Sequence, residues 1–333
     1  MAKIRDVAAR AGVSVATVSR ALNGHPTVNT ELADRVKKAA EVLGYRPNGI
    51  ARNLRRQSTD VLALIISDIG NPFFTAVARG VEDVAQRSGY SVLLCNADED
   101  SEKEARYLRV VEQEQVAGVI LSPHGADSGV ARLRQAGIPL VVIDRPLRDE
   151  EDSVMVRSRE GAEVATTHLI DAGWRRPACV TGPEDAATAQ ARLTGYRDAV
   201  AARGGLENLF VHAPYRQAGG ASAAAQLLDL DDPPDALFVA NSQMTLGVLD
   251  EIKRRGLRIG TDIGVITFDD APWAPFVNPP ISVVAQPAYD IGAQAAQLLM
   301  ERLKSQAPEA RRHIVLSTTL IVRDSSRRAA AIE

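Results

Sequence analysis

The sequence predicts two kinds of domain on one chain. A small all-α helix-turn-helix head stands at the N-terminus, followed by an α/β core of two lobes, each a doubly wound parallel sheet. Apolar residues recur at helical spacing on both sides of a glycine within Ile4–Asn23. From Val61 onward short apolar runs alternate with helical stretches, and the alternation runs through two cycles of similar length.

In IRDVAARAGVSVATVSRALN, Ile4, Val7, Ala8 and Ala11 share one helical face, and Val18, Ala21 and Leu22 share another. Gly12 permits a sharp turn between them, and Ser14 can cap the second helix by accepting from its first free N–H groups. Two short helices across a tight turn, buried on one side, form a helix-turn-helix, with a generic helical hairpin as the alternative. Val15, Ala16, Ser19 and Arg20 fall on the outer face of the second helix, where a major groove could be read. A third helix is expected from about Thr30 to Leu43, capped by Asn29 or Thr30, with Val36, Ala40 and Leu43 inward and Gly44 as its stop. GYRPN follows, and then GIARNLRR, which can form two helical turns behind Asn48. So short a helix is marginal in water, and Gly49 weakens it by roughly 1 kcal/mol against alanine. A basic segment of this kind either folds upon a polyanion or remains a charged linker.

Charge separates the two parts. Residues 1–58 carry eleven Lys and Arg against four acids, a surplus of seven, while the whole chain is at −3, which leaves −10 for the remainder. A basic head on an acidic body points to a polyanion partner for the head alone. With six to ten phosphate contacts, its binding would fall by roughly 10³–10⁵ between 50 and 200 mM salt.

The runs VLALIISD, SVLLCNAD, AGVILSP and PLVVIDR read as buried strands, separated by helical stretches near 73–88, 102–115 and 128–136. The second cycle is helix 160–172, PACVTG, helix 190–203, LFVHA, helix 218–228, ALFVAN, helix 243–255, GVITFDD and SVVAQP. In such sheets ligands bind beyond the carboxyl ends of the strands. Those ends carry Asp68, Asn71-Pro72-Phe73-Phe74, Asp144-Arg145, Asn241, Asp269-Asp270 and Gln286, and Arg192 begins a helix after a loop. Each alone is an ordinary cap or turn residue. Together, carboxylates and guanidinium forks with an aromatic pair suit a polyhydroxylated ligand, whose vicinal hydroxyls take bidentate hydrogen bonds while rings cover its apolar faces.

Other functions find no support. P-loop, nucleophile-elbow, zincin and strand-linked dinucleotide motifs are missing, and His25, His124, His168, His212 and His313 lack metal-ligand spacing. Cys95 and Cys179 lie in apolar runs and read as buried small hydrophobes. No apolar run reaches the ~18–20 residues of a membrane span, and the N-terminus shows no signal-peptide pattern, so a cytoplasmic protein without membrane attachment is expected. The same absence weighs against a binding protein that only transports or scavenges.

With these residues in view the chain resembles the lactose/galactose repressor (LacI/GalR) family over nearly its whole length. IRDVAARAGVSVATVSRALNG, GYRPN and ARNL are specific motifs. NPFF, IDRP, ARLTGY, FVAN, TFDD and QP are weaker singly but occur in the family's order. The resemblance implies a DNA-binding head at 1–45, a hinge at 46–58 and a core like that of periplasmic sugar-binding proteins. The first lobe would comprise 59–158 with about 288–317, and the second 159–287 with about 318–327. It implies a transcriptional regulator, normally a repressor, that binds a double-stranded pseudopalindromic operator as a homodimer. A small-molecule effector between the lobes would control its DNA affinity. No cofactor and no metal are implied.

Residue by residue, the resemblance places Val15 and Ala16 at base-reading positions, where they offer only apolar contacts, and Arg20 beside them, able to grip a guanine. The implied DNA-facing set is Val15, Ala16, Thr17, Ser19, Arg20 and Asn23 with Asn48, Ala51, Leu54 and Arg55 of the hinge. Leu54 is the wedge that opens a base step in the minor groove. The implied effector set is Asn71, Phe73, Phe74, Asp144, Arg145, Arg192, Tyr215, Asn241, Asp269 and Gln286. Two departures stand out. Val156-Arg157-Ser158 replaces an Asp-Asn pair common in the family, and the tail SSRRAAAIE lacks leucine heptads, which favours a dimer over a tetramer. A neutral pentose or hexose is the expected effector. A nucleoside or purine is the first alternative, and an acidic sugar the second if Arg157 faces the cleft.

Overall fold

The computed structural model describes residues 2–22, 27–45, 59–126, 129–148, 151–304 and 310–328. The chain divides into two units, Met1–Thr59 and Asp60–Glu333. In the first, α1 (Ile4–Ala11) ends at Gly12, whose φ of 62° is left-handed and lets Val13 N donate back to Ala8 O at 3.0 Å. Ser14 Oγ accepts from Thr17 N at 3.1 Å and so caps α2 (Val15–Leu22). Asn29 Oδ1 accepts from Leu32 N at 2.8 Å and caps α3 (Thr30–Val42). One valine from each helix, Val7, Val18 and Val36, is wholly buried where the three meet, with small alanines between them.

The second unit holds two six-stranded sheets. In the first, β1 (Val61–Ile66), β2 (Ser91–Asn96), β3 (Gly118–Leu121), β4 (Leu140–Ile143), β5 (Asp152–Val156) and β11 (His313–Leu316) run in the order β11-β5-β4-β3-β1-β2, all parallel. In the second, β6 (Pro177–Thr181), β7 (Leu209–His212), β8 (Ala236–Val239), β9 (Gly264–Phe268), β10 (Ser282–Ala285) and β12 (Thr319–Ile321) run β12-β10-β9-β8-β6-β7, with only β12 antiparallel. Three strands lie beyond the sequence reading: β5, β11 and β12. Each is short, and its partner is distant or interrupted by polar residues, so no periodicity marks it.

Helices cover the sheets. In the first lobe these are α4 (Pro72–Arg87), α5 (Ser101–Gln113) and α6 (Ala131–Gln135). The second carries α7 (Ser158–Asp171), α8 (Ala187–Arg203), α9 (Gln217–Leu228) and α10 (Ser242–Arg254). The last helix, α11 (Ala288–Leu303), returns to the first lobe and packs on α4. The two approach backbone to backbone at Gly80 and Gly292, where a Cβ would run into Tyr289 O and Val77 O respectively. The chain therefore crosses between lobes three times, at 156–158, 285–288 and 316–319. Among the described residues no helix is long and apolar enough to cross a membrane. Cys95 and Cys179 are buried and unpaired, and burial pushes both thiols above their ordinary pKa.

A buried ion pair ties the returning segment down. Arg302 Nε and Nη2 donate to Asp152 Oδ2 and Oδ1 at 2.6 and 2.8 Å, and Arg312 N donates to Asp152 Oδ1 at 2.8 Å. Burial alone would raise the Asp152 carboxyl, but the hydrogen bonds from Arg302 and the Arg312 backbone outweigh it and hold it below its ordinary value. Its contribution is thus full above the ordinary carboxylate pKa of about 4 and fades as pH falls through the depressed one. Arg302→Leu is expected to destabilise the core by about 3–5 kcal/mol at neutral pH, because the wholly buried Asp152 loses its countercharge. Urea unfolding checks this; the difference from the parent protein should shrink in acid.

Candidate functional site

On α2 the exposed positions are Val15, Ala16 and Arg20, with Thr17 and Ser19 half-buried beside them. Thr17 is also held from below, its hydroxyl 2.8 Å from Ser14 Oγ, so it serves the cap as well as the outer face. The helix therefore presents two small apolar side chains and one guanidinium. Asn23 and the hinge residues Asn48, Ala51, Leu54 and Arg55 lie outside the described residues.

In the core, a partly open cleft between the lobes is lined by Asn71, Phe73, Phe74, Asp144, Arg145, Arg192, Tyr215, Asn241, Asp269 and Gln286. These are all ten residues of the expected effector set. Asp68, Glu99 and Thr188 complete the lining.

Each side chain reaches the cavity for a local reason. Asn71 and Asn241 are helix caps. Asn71 Oδ1 accepts from Phe73 N at 3.0 Å at the start of α4, and Asn241 Oδ1 accepts from Gln243 N and Met244 N at 2.8 and 3.1 Å at the start of α10. Asp144 and Asp269 follow β4 and β9, the third strands of their sheets, and both take left-handed backbone angles, φ 65° and 76°. A non-glycine residue there carries strain of order 1–3 kcal/mol, and such strain clusters at binding sites. Phe73 and Phe74 meet edge to face, with centroids 4.9 Å apart.

Arg192 differs from its expected place. It lies more than a turn inside α8, which begins at Ala187 without a side-chain cap, and so shares a face with Thr188 four residues earlier. Its Nη1 donates to Ala240 O at 2.6 Å and its guanidinium covers the Phe268 ring at 3.9 Å. Arg145 donates from Nη1 and Nη2 to the two carboxylate oxygens of Glu99 at 2.7 and 2.5 Å. Burial alone would lower the Arg145 guanidinium, but Glu99 and Asp144 hold it above its ordinary value. Asp144 is pushed up by burial, against the pull of Arg145 and Arg192.

Three polar atoms of lining residues, Arg145 Nε, Arg192 Nε and Gln286 Oε1, are buried without a hydrogen-bond partner, and Arg145 Nε has the Asp144 carboxylate 3.5 Å away. Each such atom costs about 1–3 kcal/mol, which a hydroxyl-rich ligand would recover. Arg157, by contrast, is half exposed, pairs with Glu160 at 2.9 Å and does not line the cavity.

Glu99, Thr188 and Gly182 escape the sequence reading. Spacing could have found Thr188, because it stands one turn before Arg192. Glu99 lies in the acidic run DED, which reads as a solvated loop. Gly182 follows β6, and a Cβ there would run into the Tyr215 ring, whose hydroxyl is fixed by Thr188 Oγ1 at 3.2 Å. Gly182→Ala is expected to push that ring toward the cavity at a cost of about 1–3 kcal/mol in effector binding while leaving DNA binding unchanged. Titration of the sugar that binds the parent protein checks it.

Comparison with known proteins agrees with this geometry. Residues 3–48 match the family described as bacterial regulatory proteins, lacI family, and residues 166–326 match the periplasmic binding protein-like domain. The ribose operon repressor of Halalkalibacterium halodurans is 34% identical, covering 98% of each chain. The solved complex of the transcriptional regulator CelR with cellobiose is 32% identical, covers 98% of this chain and all of its own, and superposes with a TM-score of 0.74. The lac repressor dimer bound to operator and an anti-inducer, 24% identical over 98% of this chain and 99% of its own, shares the fold at a TM-score of 0.85. A helix-turn-helix head followed by a two-lobed α/β core defines a class of DNA-binding regulators, and the chain belongs to the LacI family of bacterial transcriptional regulators, with a periplasmic-binding-protein-like effector domain. Regulators of this family are not enzymes.

Proposed function

We propose that the protein acts in the cytoplasm as a repressor, binding a pseudopalindromic operator as a homodimer, with a small neutral sugar in the inter-lobe cavity setting its DNA affinity. The observation that carries this reading is the lining itself. Buried polar atoms without hydrogen-bond partners belong to residues that line one cleft between the lobes, beside two aromatic rings. The ribose operon repressor and the cellobiose complex, each over 30% identical, support a sugar, and purine repressors of similar identity support the nucleoside or purine alternative. An acidic sugar held by Arg157 loses its support, because that residue stands outside the cavity.

Pairing is supported by apolar surface that the core leaves uncovered. Leu93 and Leu94 are each 39% exposed on β2, an edge strand, and Phe276 is 87% exposed. The head supplies direct base readout through Arg20 and apolar contacts through Val15 and Ala16, and Leu54 supplies deformation at the operator centre.

Effector and operator act on each other through a coupling free energy, typically 1–3 kcal/mol, and that coupling is reciprocal. A thermal-shift panel of sugars, sugar acids and nucleosides identifies the ligand class, since a ligand at 100 times its dissociation constant adds about 2.7 kcal/mol of stability. Calorimetric titration of the best sugar, with and without saturating operator, then tests the switch. Affinities differing by about 5–150-fold are expected, and equal affinities overturn the coupling.

A further inference from the structure

The cavity is unevenly charged. Four carboxylates line it, those of Asp68, Glu99, Asp144 and Asp269, against two guanidiniums, those of Arg145 and Arg192. Arg192 spends one fork nitrogen on a backbone carbonyl and lies flat over Phe268. Arg145 has both fork nitrogens engaged by Glu99, in the parallel bidentate geometry that a ligand carboxylate or phosphate would otherwise use. The Glu99 carboxylate thus occupies an anion's place. It is presented there by a loop in which Asp98 and Glu99 both take left-handed angles, φ 58° and 55°. Lys103 and Asn96 fix the neighbouring Asp98 carboxylate at 2.5 and 2.9 Å, and Asp98 O accepts from Arg216 of the opposite lobe at 2.9 Å. The loop is pinned at Asp98 by residues of both lobes, next to Glu99, whose carboxylate pairs with Arg145.

We infer that Glu99 is the charge-selectivity residue of this site: it fills the anion-binding fork of Arg145 from within the protein and thereby restricts the effector to uncharged polyols. The inference rests on the proposed sugar reading for the nature of the effector, but not for the state of Arg145. An incoming carboxylate or phosphate must displace Glu99 and remain beside the three other carboxylates, in a medium where like charges repel strongly. A neutral sugar leaves the pair intact and uses the polar atoms without hydrogen-bond partners, Arg192 Nε and Gln286 Oε1, while Arg145 Nε stays 3.5 Å from Asp144 Oδ2.

The test uses the full chain in three forms, parent, Glu99→Ala and Glu99→Gln, with circular dichroism confirming that each is folded. The alanine variant opens space and frees the fork, while the glutamine variant removes the charge at nearly constant shape. Acetate is the first probe, compared with chloride at equal ionic strength. It is expected to raise the thermal midpoint of Glu99→Ala by about 2–4 °C, and to leave the parent protein unmoved. The second probe is a matched set of D-ribose, D-glucose and D-galactose against D-ribonate, D-gluconate and D-galactonate. The acid-to-neutral affinity ratio is expected to rise at least about tenfold in both variants. No acetate-specific stabilisation of Glu99→Ala, with an unchanged ratio in Glu99→Gln, overturns the assignment. Acetate stabilisation of Glu99→Ala in a protein whose parent form binds none of the neutral sugars upholds Glu99 as the internal anion and refutes the sugar reading instead.

Discussion

Replacing Arg192 with alanine is expected to abolish the effector response while operator binding persists. The guanidinium is the one positive group that the second lobe contributes to the cavity lining. It is 3% exposed, lies over Phe268 and leaves Nε without a hydrogen-bond partner. Removing it takes away a charged hydrogen bond, about 1.5–3 kcal/mol, and the smaller of the two positive charges that act on Asp144, leaving Arg145 as its only cationic neighbour in the lining. A loss of at least about 100-fold in effector affinity follows from those two terms together. Arg192→Met, which keeps bulk over the Phe268 ring, separates this from a packing defect. Both variants should still shift operator DNA in a mobility assay. A calorimetric titration that matches the parent protein would refute the assignment.

Leu54→Ala should have the second large effect, and on the other partner. Leu54 lies in the segment 46–58 outside the described residues, and its role is a proposal drawn from the resemblance of ARNL to the family's hinge motif. A side chain that wedges into a base step kinks the duplex, and the cost of unstacking is recovered only at the cognate site. Truncation should lower specific binding by on the order of 100-fold and leave nonspecific binding, which is carried by phosphate contacts, nearly unchanged. Salt titrations on operator and on random DNA read the two separately. Equal losses on both would contradict the wedge.

Much of the candidate site could be placed from the sequence because it obeys a rule of position. Asn71, Asp144, Asn241, Asp269 and Gln286 stand just past short apolar runs, and the carboxyl ends of parallel strands converge on one crevice. The head was legible for a different reason. Its helices are amphipathic, and its turns are marked by Gly12, Ser14 and Asn29, whose angles and hydrogen bonds the structure shows.

What stayed hidden depended on pairings distant in sequence. β11 and β12 have four and three residues and take their identity from β5 and β10, far earlier in the chain. The start of α8 is unmarked because Ala186 cannot cap it, so the register of Arg192 shifted by a turn. Glu99 reaches the cavity only because two successive acidic residues adopt left-handed angles, a choice that no local propensity announces.

The triple passage of the chain between the lobes has a mechanical consequence. A single connection would let one lobe swivel, tilt and twist against the other. Three connections, adjoining β5, β10 and β11, act as leaves of one hinge: twisting would strain them unequally, while bending about a common axis flexes them together. The lobes are thereby reduced to essentially one soft degree of freedom, opening and closing. The proposed effector would then not be required to specify a new shape. It has only to choose a position along a coordinate that the backbone has already selected.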